Sequence, residues 1–313
     1  MLVDKTRDVV DRTREVLRLF ERAAGEHSSW LMRVHAALMF PGQSDIPPCG
    51  PDAPVPLLAA YACGDAEELA PLLRLRAFMH GRAAVLLERR RRGYPIAPDD
   101  YQEFMAAVEA YVREARRVEG QFRRVLVETD PLTGVHNRQG MMRSLRREWT
   151  RSLRTGDPVC VALADLDFFK RINDTWGHQA GDRVLCATAR FFQRSLRPYD
   201  SVYRYGGEEF LFCLPNTDVE TAAHVLDRLR RALARQPVLL EGGQQVAVTC
   251  SIGVAPMVPS GSVQEAVAAA DRALYGAKDR GRDRVELAPP PAGLAPAGLV
   301  ASELRASRAA VRH

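Results

Sequence analysis

The feature that most restricts what this chain can fold into is the run at residues 202–214. There Gly206-Gly207-Glu208-Glu209 sits between Val202-Tyr203 on one side and Phe210-Leu211-Phe212-Cys213-Leu214 on the other. Two strand-like runs around a glycine pair predict a β-hairpin, with the glycines supplying a positive-φ turn. Adjacent carboxylates on a tip without side-chain cover repel each other, so stability alone gives no reason for them. A bare acidic tip does suit close approach of phosphates to the backbone and oxygen ligation of a divalent cation. In isolation these residues read equally well as a solvated acidic turn, so their surroundings decide.

Length and composition narrow those surroundings. At 313 residues the chain has room for two domains with separate cores. No apolar run approaches the roughly 18 residues of a membrane span, and residues 1–8 lack the apolar core of a signal peptide. A cytoplasmic protein with no membrane partner is expected. The net charge of +5 comes from arginine. Without a clustered basic face carrying base-reading or aromatic residues it argues against a nucleic-acid partner, and it suits phosphate anions as substrate and product. The run Arg89-Arg90-Arg91-Arg92 reads as a solvated helix end. The six cysteines show no paired spacing, and the four inside apolar runs read as buried thiols.

The first half is helical in pattern. Residues 4–24 form an amphipathic segment, residues 29–39 a second one, and 57–62 and 67–90 two more. A Pro/Gly-rich loop around Cys49 fills residues 41–56, and no strand pattern appears before residue 155. An all-α bundle over residues 1–97 is expected. From Tyr101 the apolar positions Phe104, Val108, Tyr111, Ala115, Val118, Phe122 and Val125 follow at alternating steps of three and four. That is a heptad seam over residues 98–128, read as a self-associating stalk in preference to a helix packed within one subunit.

The second half carries the chemistry. Asp130-Pro131-Leu132-Thr133-Gly134-Val135-His136-Asn137-Arg138 offers Asp130 and Thr133 as caps for a turn. Val159-Cys160-Val161-Ala162-Leu163-Ala164 reads as a buried strand ending in Asp165-Leu166-Asp167, with Asp167 taken as a helix N-cap. Phe168-Phe169-Lys170-Arg171-Ile172-Asn173-Asp174 and Gly177-His178-Gln179-Ala180-Gly181-Asp182 follow. Arg197-Pro198-Tyr199-Asp200 precedes the hairpin, residues 246–255 read as another buried strand, and a helix over 263–278 leads into Lys278-Asp279-Arg280-Gly281-Arg282-Asp283-Arg284-Val285.

These motifs, in this order, resemble the GGDEF family of diguanylate cyclases in its GGEEF form, over roughly residues 130–285. The resemblance implies an α/β (α+β) domain over 129–287 with an adenylyl-cyclase-like, ferredoxin-like central sheet. It also implies condensation of two GTP into cyclic di-GMP and two pyrophosphates by a homodimer using Mg2+ or Mn2+. Asp165, the Leu166 carbonyl and Glu208 are then metal ligands, and Glu209 is the candidate base, with Glu208 or water as alternatives for the proton. Lys170 is placed with the catalytic residues, and the Phe168, Phe169 and Lys170 amides near the phosphates. Asn173 and Asp182 fall on guanine, His178 on substrate, and Lys278 and Arg282 on the triphosphate. Arg197, Asp200 and Arg228 form an inhibitory site for cyclic di-GMP, with His224 where some members have another arginine. Asp283 stands where the family usually has Asn.

The flanks of His27 (Glu26-His27-Ser28-Ser29-Trp30-Leu31) and of His80 (Met79-His80-Gly81-Arg82) are similar to those of two histidines in the chemoreceptor zinc-binding domain. That implies a zinc site at His27, Cys49 and His80 with an open fourth position, although Arg76 stands one turn before His80 where the pattern has histidine. Residues 288–313, rich in Ala, Pro and Gly, are expected to form a disordered tail. Two rivals remain at this point: a catalytically inactive module that binds GTP or cyclic di-GMP, and a metal-responsive dimerisation scaffold.

Overall fold

A computed structural model describes residues 5–40 and 66–289. The loop around Cys49, the segment at 57–62 and the expected tail beyond Pro289 lie outside the described residues. The chain divides into two compact units, Met1–Pro131 and Leu132–His313. Among the described residues no helix is long and apolar enough to cross a membrane.

The first unit contains α1 (Lys5–Met39), α2 (Ala66–Arg91) and α3 (Pro98–Glu128). The sequence pattern predicts two segments where α1 is continuous. Trp30, Val34 and Leu38 prolong the buried stripe of Val16, Leu19 and Phe20, while Ser28 turns its hydroxyl onto the Ala24 carbonyl at 2.9 Å without ending the helix. The heptad seam of α3 also has a different use from the one expected. Phe104, Val108, Tyr111 and Val118 are buried in one core with Val16, Phe20, Trp30, Leu72 and Met79, and Ala115 and Phe122 pack against it. The Phe122 ring lies 5.9 Å from Phe20. Helices of the same chain therefore cover most of the seam. A period of 3.5 identifies an apolar stripe on a helix without saying whose helix will cover it.

The second unit is a five-stranded sheet in the order β2-β3-β1-β6-β7. Its strands are β1 (Val159–Leu166), β2 (Ser201–Gly206), β3 (Glu209–Pro215), β6 (Cys250–Pro256) and β7 (Val285–Leu287), and a separate ribbon pairs β4 (Val238–Leu239) with β5 (Gln245–Val246). Pairing is antiparallel except between β6 and β7. The βαββαβ order with β1 central is the ferredoxin-like arrangement expected. The single strand expected at 246–255 is split, because Val246 pairs in the small ribbon and β6 begins at Cys250.

Helices cover both faces of the sheet. Cys160, Ala162, Ala164 and Leu166 join Phe210, Phe212 and Ile252 in one core, under α6 (His178–Ser195) and α7 (Val219–Ala234). Val159, Val161 and Leu163 join Leu211 and Cys213 in the other, under α4 (Arg138–Thr155) and α8 (Val263–Asp279). Burial on both faces explains why β1 is a continuous apolar run rather than an alternating one. It also explains the inert thiols: Cys160, Cys213 and Cys250 are buried, and burial pushes the first two up to about 12. The cap expected from Asp130 or Thr133 is made by Asn137, whose side chain accepts from the Gln139 and Gly140 amides at the start of α4.

Candidate active site

The central strand and the hairpin bring the acidic residues together. Asp165 on β1 pairs across the sheet with Glu209 on β3, and the Leu166 N–H donates to the Glu208 carbonyl at 3.3 Å. Lys278, in the last turn of α8, places its Nζ 2.8 Å from Asp165 Oδ2. Burial raises the pKa of Asp165, against the pull of Lys278. Burial and then the Asp165 charge raise that of Glu209. Two half-dehydrated carboxylates of like charge create a demand for a cation.

The glycine pair serves this site differently from the expectation. Neither Gly206 nor Gly207 has a positive φ. A Cβ on Gly206 would stand 3.0 Å from Glu209 Oε2, while one on Gly207 would meet nothing within 4 Å. The first glycine leaves the carboxylate its place and the second keeps the tip open. Arg204 fixes the tip by donating from Nε and Nη2 to the Gly207 carbonyl at 3.1 and 2.9 Å.

Beyond β1 the chain turns through Phe168, whose φ of 57° is left-handed, into α5 (Phe169–Trp176). Such a conformation costs a non-glycine residue about 1 to 2 kcal/mol. In return the chain enters α5, whose first amides, including those of Phe169 and Lys170, have no intrahelical carbonyl to donate to and so favour an anion. Asp167 does not cap this helix. Its carboxylate accepts from Thr249 Oγ1 at 2.8 Å, Ser251 Oγ at 2.7 Å and the Asp283 amide at 3.1 Å. Arg282 lies over the Phe168 ring, 4.9 Å from its centroid. The Phe168 loop, Lys278 and Arg282 thus gather around one end of β1.

The residues assigned to guanine are also placed. Asn173 points its carboxamide over Gly181, so closely that any Cβ there would collide with it. It therefore lies beside the first turn of α6, which carries His178 and Asp182, both exposed. The residues expected at a product site are brought together in part. Arg197 and Asp200 close a turn before β2, with the Asp200 amide donating to the Arg197 carbonyl at 3.0 Å and the Arg197 amide to Asp200 Oδ2 at 3.2 Å. Arg228 lies on α7 and lines a surface cavity with His224, Arg231 and Arg235, which neither Arg197 nor Asp200 lines.

In the helical unit His27 and His80 converge on Trp30, with ring centroids 5.7 and 4.3 Å away. Both Nε2 atoms are buried without a hydrogen-bond partner. Burial and then the Arg76 charge lower the pKa of each, that of His80 to about 4. Cys49 lies outside the described residues. Among those described, no group of three or more His, Cys, Asp or Glu is placed to hold a metal. Two imidazoles beside a guanidinium do not by themselves fit zinc. The acidic site differs, because a magnesium ion takes one or two carboxylates and completes its shell with substrate phosphates and water.

Sequence reasoning missed the residues behind the site: Arg204, Thr249, Ser251 and Arg230. The alternation of Thr249 and Ser251, two residues apart and so on one face, was the available signal for the partners of Asp167. A carboxylate at Asp283 in place of an amide was the signal for a nearby cation.

Comparison with known proteins places this architecture. Residues 127–284 match the family described as diguanylate cyclase, GGDEF domain. The diguanylate cyclase DgcP of Pseudomonas aeruginosa is 39% identical over 191 residues, which is 60% of this chain and 28% of that protein. The chain therefore spans well under half the length of that relative. Among solved structures, the coiled coil and GGDEF domain of DgcB from Caulobacter crescentus, in complex with c-di-GMP, is 32% identical with a TM-score of 0.54. That alignment covers 60% of this chain and 99% of the other. The diguanylate cyclase SiaD of Pseudomonas aeruginosa, in complex with its activator SiaC, is 34% identical over 85% of this chain and 99% of its own, with a TM-score of 0.50. The matched residues include the hairpin, the end of β1 and the turn after α8, and the chain belongs to the GGDEF-domain diguanylate cyclase family.

Proposed function

We propose that the chain condenses two GTP into cyclic di-GMP and two pyrophosphates. The observation that carries this reading is the convergence of Asp165, Glu209, Lys278 and the Phe168 loop at one end of the central strand. In each of two steps a ribose 3′-oxygen attacks the α-phosphorus of the facing nucleotide's triphosphate, first between two GTP and then within the joined dinucleotide. The new P–O bond forms as the α–β bridging bond breaks, pyrophosphate leaves, and the 3′-proton passes to a base. Glu209 suits that role, since a raised pKa brings a carboxylate closer to the operating pH.

The α5 amides, Lys278 and Arg282 hold triphosphate oxygens, and Lys170 is on the same loop. Asn173 and Asp182 match the acceptors and donors of guanine, with His178 beside them. The oxygen donors Asp165, Glu208 and the Leu166 carbonyl suit Mg2+ or Mn2+, which when bound would neutralise triphosphate charge and acidify the 3′-hydroxyl. The described residues form one such site and the reaction consumes two GTP, so two catalytic units meet face to face in a homodimer. GTP as substrate places the reaction in the cytoplasm.

The helical residues 1–97 then act as the input and dimerisation part, residues 98–128 as a stalk and residues 129–287 as the cyclase. Arg197, Asp200 and Arg228 bind the product, so Arg197→Ala should raise the level at which progress curves stop. A zinc input through His27, Cys49 and His80 is a second reading, favoured by the two orphaned Nε2 atoms and opposed by Arg76. Metal analysis of the purified chain decides it.

The central test is incubation of the full chain with GTP and Mg2+, resolving nucleotides by chromatography. Cyclic di-GMP with twice its amount of pyrophosphate is expected, and Glu208→Ala should abolish both. GTP binding without any product would overturn the proposal in favour of a binding module.

A further inference from the structure

Behind the phosphate-facing loop lies a network that the reaction as described does not use. Three non-glycine residues here have left-handed backbones: Phe168 at φ 57°, Arg282 at 62° and Asp283 at 45°. Such conformations persist where neighbouring groups over-determine them. Phe168 sits under the Arg282 guanidinium. The Asp283 amide is bonded to Asp167, which Thr249 and Ser251 hold in turn.

The Asp283 carboxylate reaches a different element. Arg230 on α7 donates from Nη1 to Asp283 Oδ1 at 2.5 Å. The Arg230 side chain is 11% exposed, and Asp227 anchors it through Nε at 3.1 Å and Nη2 at 2.8 Å. Asparagine, the residue expected at position 283, adopts left-handed backbone readily and carries no charge. Aspartate there adds a carboxylate to a turn whose backbone amide is bonded to Asp167, and Arg230 answers that charge.

We propose that Arg230 and Asp283 are positioning residues of the active site, their ion pair holding the turn at residues 281–284 against Asp167. Arg282 and the Phe168 loop then face the same phosphates. Neither residue touches the reacting atoms; they act through Arg282 and Asp167. The proposal rests on the cyclase reading and deepens it by naming what aligns the two halves of the triphosphate cradle.

The test compares the full-length wild type, Arg230→Met and the double variant Arg230→Met/Asp283→Asn. GTP kinetics are read together with hydrogen exchange at the Asp283 amide. Arg230→Met should raise KM for GTP by roughly tenfold with a smaller change in kcat, and speed that exchange, since uniform substrate binding is lost before chemistry. The double variant should recover KM to within about threefold and restore slow exchange, because a neutral turn no longer needs the arginine. An unchanged KM in Arg230→Met would overturn the proposal. So would a double variant as impaired as the single one, which would show that Arg230 merely supports α7. If the wild type turns over no GTP the cyclase reading fails instead. Exchange at Asp283 then still decides whether the pair holds the turn: acceleration with rescue supports that, and no change overturns it.

Discussion

In the α/β unit two groups of metal-ligating type, Asp165 and Glu209, face each other across a strand pair. In the helical unit His27 and His80 do so around Trp30. Both pairs are partly stripped of water, and in both burial is the first cause of a shifted pKa. What differs is the charge that each pair itself carries. Lys278 counters the carboxylates, and Gly207 leaves the hairpin tip uncovered. Arg76 adds positive charge beside the imidazoles and pushes them further toward neutrality. The carboxylates carry charge that a cation can answer, and the imidazoles, held toward neutrality beside a guanidinium, do not. A positive neighbour therefore has opposite consequences beside anionic and beside neutral ligands.

The largest effect should come from Asp165→Asn. It removes a carboxylate that the fold holds at a disadvantage, so GTP turnover should fall by at least about a hundredfold. The melting temperature without divalent ions should rise. Pyrophosphate release and calorimetry check the two halves, and a melting temperature that falls would break the comparison. Arg76→Ala attacks the other pair. If the guanidinium is what opposes metal, zinc affinity should increase by roughly tenfold, about 1.4 kcal/mol. Zinc titration showing no change would make the arginine irrelevant. Gly206→Ala sets a methyl against Glu209 Oε2 and should lower kcat by about tenfold without altering the melt. Equal kcat would show that the carboxylate has room to spare.

The smallest effect is on pH. Asp165 and Glu209 have raised values in the folded state, so the stability they allow is present below ordinary carboxylate pKa values of about 4. It is lost as pH rises through their folded values. His80 is lowered to about 4, so its contribution is complete above the ordinary 6.5 and is lost as pH falls toward its folded value. Acidification should thus loosen the helical unit while favouring the acidic site. Proton-resolved melting with His80→Leu and Asp165→Asn as controls measures each part, and slopes of the same sign would contradict it.

How much of this could be read beforehand varied with the range of the interaction involved. The hairpin, the buried strand ending at Asp165 and the arginine-rich turn after α8 are local patterns, and they appear where the sequence puts them. The α3 seam was legible as an apolar stripe, but its partner was not. Whether Phe104 and Val108 meet a second copy or α1 and α2 depends on which surface reaches them first in three dimensions. Asp167 was misplaced as a cap because its partners, Thr249, Ser251 and Asp283, are over eighty residues away in sequence.

By itself, the sequence determined the residue types of the site, their order along the chain and the family they belong to. Periodicity, turn chemistry and short motifs are properties of neighbouring residues. Tertiary structure alone decided that Asp165 meets Glu209 and Lys278, that Asp167 latches the turn at Asp283, and that Arg230 answers the charge there. Those pairings depend on how separated segments pack, and the burial that packing imposes turns ordinary carboxylates into groups that need a cation.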